Sequence, residues 1–200
     1  EISKVAVAVN VVTSEVKAEQ KAYIEGAGKN SAGYTGIVSE NGSITVESVL
    51  NVNASGVIGG NSAKKGISVS GIDGKASAAT AKAESVNIAY VNNGVLEAAR
   101  GKASISANTS SKTDAQALAP SLSLAEMNIV NVYTDSNDSV EAYVTGASIV
   151  RALKVDILAN GTAEVTATGA VPGVTVSLVN GNAVIVTATA AKGTNGKVTK

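Results

Sequence analysis

The sequence predicts an all-β chain, and within that class a parallel β-helix of irregular coils. Three observations predict it. Short apolar runs alternate with polar residues at period two, the spacing of a strand with one buried face. Clusters of Gly and Asn, which tolerate positive φ, interrupt these runs at close intervals. Finally, the chain repeats itself. The stretch 21–27, Lys-Ala-Tyr-Ile-Glu-Gly-Ala, returns at 141–147 as Glu-Ala-Tyr-Val-Thr-Gly-Ala, so Ala22, Tyr23, Gly26 and Ala27 find the same residue types 120 positions later. Ala89-Tyr90-Val91, with Gly94 just beyond, is a third and shorter copy. A single repeat unit does not bury its own apolar face and must stack on neighbours.

Residues 2–12 carry Val5, Val7, Val9 and Val11 on one parity, with small or polar residues between, and read as a strand. Residues 14–22 are charged and fit either a helical turn or a polar strand; 22–25 read as strand because Gly26 and Gly28 follow. Residues 26–36 read as loop. Asn41-Gly42 is a turn signal between 36–39 and the apolar run of Ile44, Val46, Val49 and Leu50. Gly59-Gly60-Asn61 is a corner.

Beyond it, Gly66-Ile67-Ser68-Val69-Ser70 matches Gly173-Val174-Thr175-Val176-Ser177 at an offset of 107. The match continues through Gly74 with Gly181, Ala76 with Ala183 and Thr80-Ala81 with Thr187-Ala188. The Ala-rich stretch 76–84 fits a helix by propensity, but its match to the 184–188 run makes it a strand. An offset of 113 aligns 54–56 with 167–169, and Val11, Thr13 and Ser14 are answered by Val132, Thr134 and Ser136. Offsets that shrink along the chain are what equivalent strands joined by loops of unequal length produce. Val86, Ile88 and Tyr90 make a strand ahead of Asn92-Asn93-Gly94, and 103–107 is another. Residues 108–114 read as polar loop. Leu122, Leu124 and Met127 have alternating or near-helical spacing, and 129–133 return to strand character. The corners separate units of roughly 18–25 residues, three of which would make a longer repeat of about 55–65.

Apolar residues make up 44% of the chain but are mostly Ala and Val; there is no Phe, Trp or His, and Tyr23, Tyr34, Tyr90, Tyr133 and Tyr143 are the only aromatics. A core without large rings must be thin, regular and repeated. Tandem Ig-like β-sandwiches are the alternative all-β reading, because short strands in 148–200 recur about every 8–12 residues. Each such module calls for a buried aromatic, which the composition hardly supplies.

The 16 basic and 16 acidic residues balance, and Lys64-Lys65 is the longest basic cluster. No nucleic acid is expected, because its binding needs a basic face. No membrane insertion is expected either, since no apolar run approaches the ~20 residues of a spanning helix. With neither His nor Cys, the Ser/His/Asp, Cys/His and His-metal constellations are closed to this chain, and it is not expected to be an enzyme. Its acids, apart from Asp135 and Asp138, are scattered singly and read as solvated faces rather than as the carboxylate pair of a polysaccharide-cleaving β-helix.

Two sets of residues remain as site candidates. In 135–139, Asp-Ser-Asn-Asp-Ser, the residues Asp135, Asn137 and Asp138 are candidate calcium ligands. The stretch lacks the glycine and distal glutamate of an EF-hand loop, and an Asx-rich turn is its structural reading. Apart from that calcium, no cofactor is expected. Tyr23, Tyr90 and Tyr143, at equivalent repeat positions, are a candidate sugar-stacking stripe. As purely structural residues they would half-bury the rings and leave the hydroxyls at the surface.

The run Val140-Glu141-Ala142-Tyr143-Val144-Thr145-Gly146-Ala147, followed by Lys154-Val155-Asp156-Ile157-Leu158-Ala159-Asn160 and Thr166-Ala167-Thr168-Gly169, resembles the repetitive passenger regions of large bacterial exoproteins, the leukotoxin-like and filamentous-haemagglutinin-like adhesins. The resemblance implies a right-handed parallel β-helix, secreted and displayed at the cell surface. It implies a structural or adhesive stalk whose partners are a host or neighbouring-cell surface, protein or glycan, or further copies of itself. A polysaccharide-binding or polysaccharide-cleaving β-helix and a set of Ig-like adhesin modules are the other functional readings. The chain reads as one repetitive segment over 1–200, cut from a longer protein, because it begins at Glu1 without Met and neither end carries a polar cap.

Overall fold

The computed structural model describes residues 5–26, 36–59, 69–118, 122–170 and 179–190. These hold β1 (Val5–Glu25), β2 (Gly36–Ser39), β3 (Ile44–Ile58), β4 (Val69–Asn92), β5 (Val95–Leu118), β6 (Leu122–Thr145), β7 (Ile149–Ala170) and β8 (Val179–Ala190), with no helix among the described residues. One sheet, A, has the order β1-β4-β6-β8; in the other, B, β2 and β3 lie end to end along one side of β5 and β7 along the other. Every pairing is parallel. The chain thus passes from sheet A to sheet B and back, each strand of one sheet serving as the crossover that parallel neighbours in the other require. The arrangement is compatible with a parallel β-helix. It does not accommodate tandem Ig-like sandwiches, whose neighbouring strands run antiparallel.

From β4 onward two long strands make a circuit, such as β4 and β5 with 24 residues each, in place of the three shorter runs expected, while the first circuit runs through β1, β2 and β3. The expectation failed where polar residues were read as breaks. Residues 108–114 lie inside β5 and 135–139 inside β6, not in a loop and a turn. In stacked parallel strands the backbone is bonded to the strands on either side whatever the side chain, so a polar residue ends nothing. The charged stretch 14–22 is likewise strand within β1, and 76–84 is strand within β4, as its internal match required.

The register shows what the repeats mean. Tyr23 pairs with Tyr90 and Tyr90 with Tyr143. Gly74 pairs with Met127 and Met127 with Gly181, so the offset of 107 spans two rungs of sheet A. Two other matches are corrected. Ala54 reaches Val165 through Thr113, two residues short of the Ala167 expected. Val12, not Val11, shares a column with Val132 through Ala79. A slip of one exchanges the faces of a strand, so Val11 is exposed at 67% while Val132 is fully buried. The 66–68 and 173–177 parts of the longer match, and 27–35 of the predicted loop, lie outside the described residues.

The corner between sheets A and B is a column of turns built from Gly26, Asn93 and Gly146. Asn93 and Gly146 both have positive φ, 51° and 67°. Gly26 N–H donates to the Asn92 carbonyl (2.9 Å), and Ala147 N–H to Asn93 Oδ1 (2.9 Å). A Cβ on Gly26 would lie 1.6 Å from the Asn93 carbonyl oxygen, so only glycine fits the stack.

The space between the sheets is divided. Near the corner, Ile44, Val46, Ala89, Val91, Leu96, Ile105, Val140 and Ala142 form one apolar cluster. Farther along, Ala54, Ile58, Ala79, Ala81, Ala115, Ala117, Val130 and Val132 form a second. Between them lies a buried polar band that includes Ser48, Ser85, Asn87, Thr109, Ser111, Thr113, Thr134, Ser136 and Asp138. Small side chains on facing strands let the sheets approach closely, which replaces the area that aromatic rings would have contributed.

Candidate functional surface and the buried polar band

The outer face of sheet A carries the tyrosine ladder. Alternation along β1, β4 and β6 turns Tyr23, Tyr90 and Tyr143 outward, and the register sets them in one column. The rings stack with centroids 5.1 Å and 5.2 Å apart and planes within 8°. Stacking decides what such a ladder offers a ligand. Both faces of Tyr90 are covered by its neighbours, so only its edge and hydroxyl meet solvent. Tyr23 stands on the edge strand, is 55% exposed, and has one ring face uncovered by the ladder. Crowding by its neighbours, and then the Glu25 carboxylate, push the Tyr90 hydroxyl above its ordinary value.

Charged columns flank the ladder. Lys17 bonds Glu15 along the strand (3.2 Å) and Glu84 across to β4 (3.3 Å); Glu15 first, and then Glu84, raises the Lys17 ammonium above its usual range. Lys21 pairs with Glu19, and Asn92 donates to Glu25 (3.2 Å). Lys82 sits 5.5 Å from the ring centre of Tyr133. Loss of solvent, and then the Asp135 carboxylate, raise the Tyr133 hydroxyl. Lys17, Glu19, Glu84, Val86, Asn137 and Ser139 line a shallow outer depression of about 350 Å³. Sheet B has its own column, where Asp156 receives Lys102 (2.7 Å) and Lys154 (3.2 Å) and is held below the usual carboxylate range, first by Lys102.

The three calcium candidates are divided between two faces. Asp138 points into the polar band and is buried, whereas Asp135, on the opposite parity, faces outward beside Tyr133, whose hydroxyl donates to it (3.3 Å). Asn137 lies exposed by the outer depression. The structure does not bring the trio together, and among the described residues no group of three or more acids gathers in metal-holding geometry.

Inside, Asp138 accepts hydrogen bonds from Ser85 of β4, Ser111 of β5 and Ser136 of β6 (3.0 Å), and the Ser111 and Ser136 hydroxyls touch at 2.7 Å. Asn87 donates to the Ser48 carbonyl (3.3 Å), the Asn108 carbonyl (2.8 Å) and Thr109 Oγ1 (3.0 Å). The Ser111 and Asn87 bonds tie sheet A to sheet B. Sequence reasoning missed this band because it took 135–139 as a turn. The signal was parity: Asp138 shares its face with Val130 and Val132 once β6 is recognised as one unbroken strand. Comparison with family models, with curated proteins and with solved structures finds no match to this chain.

Proposed function

We propose that the chain is a non-catalytic structural segment of a secreted, surface-displayed bacterial stalk, and that its lateral face meets a partner. The observation that carries this reading is the long parallel pairing of β4, β5 and β6, each bonded to strands before and after it, with one register shift in β5 between Ala98 and Lys102. Many backbone hydrogen bonds then share any force that slides one strand along its neighbour, and none depends on side-chain identity. Columns of stacked rings and of opposite charges, Tyr on Tyr and Lys17 on Glu84, reinforce the register. The likeness of 140–169 to exoprotein passenger regions supports the location. The open ring face of Tyr23, between Lys21 and Glu25, supports a sugar as the lateral partner, since a ring face with polar neighbours is the arrangement that stacks on a pyranose. Among the described residues β1 and β8 border sheet A, and β2, β3 and β7 border sheet B, which supports self-association through strand edges as a further contact.

Small-angle X-ray scattering with far-UV circular dichroism tests the stalk. An elongated particle with a dominant strand signal is expected, and a compact profile would sink it. A glycan array with Tyr23→Ala and Tyr90→Ala tests the lateral contact. Binding is expected to vanish in the first variant and persist in the second; equal loss in both would place the contact elsewhere.

A further inference from the structure

A second buried polar group lies on the inner face of sheet A, away from the Asp138 band. Asp73 and Lys75 sit two apart on β4, and Glu126 and Asn128 two apart on β6. The register pairs Asp73 with Glu126 and Lys75 with Asn128. All four point inward and are almost wholly removed from solvent, at 1%, 9%, 3% and 0% exposure in chain order. Lys75 Nζ is 3.3 Å from Asp73 Oδ2. Asn128 Nδ2 donates to Glu126 Oε1 and to Asn182 Oδ1 of β8 (3.2 Å). The second Glu126 oxygen, Oε2, has no hydrogen-bond partner among the described residues.

Together these place an amine, a carboxamide and a carboxylate that already holds the carboxamide on one dry face, with the amine and carboxamide on adjacent strands about 4.8 Å apart. The geometry points to a self-formed isopeptide bond between Lys75 Nζ and Asn128 Cγ, with Glu126 as the proton carrier. A proton passes from the Lys75 ammonium to the Glu126 carboxylate, which in a dry site replaces two charges with two neutral groups. The neutral amine adds to Cγ, forming the N–C bond. Glu126 delivers its proton to Nδ2 and takes one from Nζ. The Cγ–Nδ2 bond then breaks and ammonia leaves, accepting the last proton to depart as ammonium and restoring the carboxylate. No oxidant or cofactor is needed. Fixed neighbouring strands supply the proximity that free lysine and asparagine side chains lack in water. Asp73 is a positioning residue, holding Lys75 beside the rung. The product would tie β4 to β6 covalently and block their sliding, and it stands independently of the stalk reading.

Intact-mass spectrometry of the purified full chain, followed by tryptic mapping, tests this. The expected result is a mass lower than the sequence by one ammonia, and one branched peptide carrying residues 75 and 128 with no cleavage after Lys75. Lys75→Arg and Glu126→Gln should both restore the full mass while circular dichroism shows the strand signal retained. Asn128→Asp should lose one water instead of one ammonia if the bond still forms. A wild-type chain at its full sequence mass overturns the proposal whatever the variants do. So does an ammonia loss that survives Lys75→Arg, which would mark cyclisation of Asn128 on its own backbone.

Discussion

Two carboxylates on the inner face of β6 meet opposite surroundings. Asp138 is enclosed by hydroxyls from β4, β5 and β6, groups that donate to it and offer nothing to attack or release. Glu126 faces the β4 rung that carries Asp73 and Lys75 and binds the Asn128 amide, so its setting contains both a nucleophile and a leaving group. Strand, face and burial are shared. The difference lies in what the neighbouring strands bring to the same rung. A parallel stack therefore creates chemistry column by column, and a one-residue slip in register would exchange an anchor for an empty contact.

Removing the anchor should have the largest effect. Asp138→Ala strands three buried hydroxyls without their acceptor and should cost about 3 kcal/mol in urea unfolding, while Asp138→Asn, which keeps one acceptor oxygen, should cost about half as much. A cost near zero for both would mean that the band is fully hydrated and that the two sheets are held by the apolar clusters alone.

The outer ladder provides the next test, because there the contact is between like groups. Tyr90→Ala removes two ring contacts and should cost about 2 kcal/mol, against about 1 kcal/mol for Tyr23→Ala, which removes one. Equal costs would show that the rings act singly and not as a stack. Ser85→Ala should cost about 1 kcal/mol, since Asp138 keeps two donors. Combined with Ser111→Ala, the loss should exceed the sum, and the double-mutant cycle measures that excess.

The smallest effects are those of pH. The Tyr90 hydroxyl is raised in the folded chain above its ordinary value of 10.0, so the folded state binds its proton more tightly. Its contribution is fully present below about pH 10 and is lost as pH rises through the folded value. Asp156 is lowered from 3.8, so its contribution is present above that pH and is lost as pH falls through the folded value. Tyrosinate absorbance in an alkaline titration, and thermal melts on the acid side with Lys102→Ala as control, check the two signs. The lysine partners of Asp156 are exposed, so added salt should weaken its effect.

Much of the architecture is legible in the sequence. Period-two patterning marked β1 and the run from Ile44. The Ala-Tyr-Val/Ile echo placed Tyr23, Tyr90 and Tyr143 in one column, because a parallel stack sets equivalent residues on top of each other. The internal match also chose strand for 76–84 against its helical propensity. The reading failed at 108–114 and 135–139, where polarity was taken for a break. In an isolated strand those polar side chains would need water. Here Ser111 and Asp138 find each other across the gap between the sheets.

The sequence by itself determined that the chain is all-β, that it repeats, and which residues recur, since these follow from side-chain periodicity and turn chemistry along a single strand. Only the tertiary structure decided that two long strands complete the circuits of β4–β5 and β6–β7, that Asp138 faces inward while Asp135 faces outward, and that Lys75 lies beside Asn128. Those outcomes depend on register across connections of unequal length, a property of pairs of strands that no single stretch of residues carries.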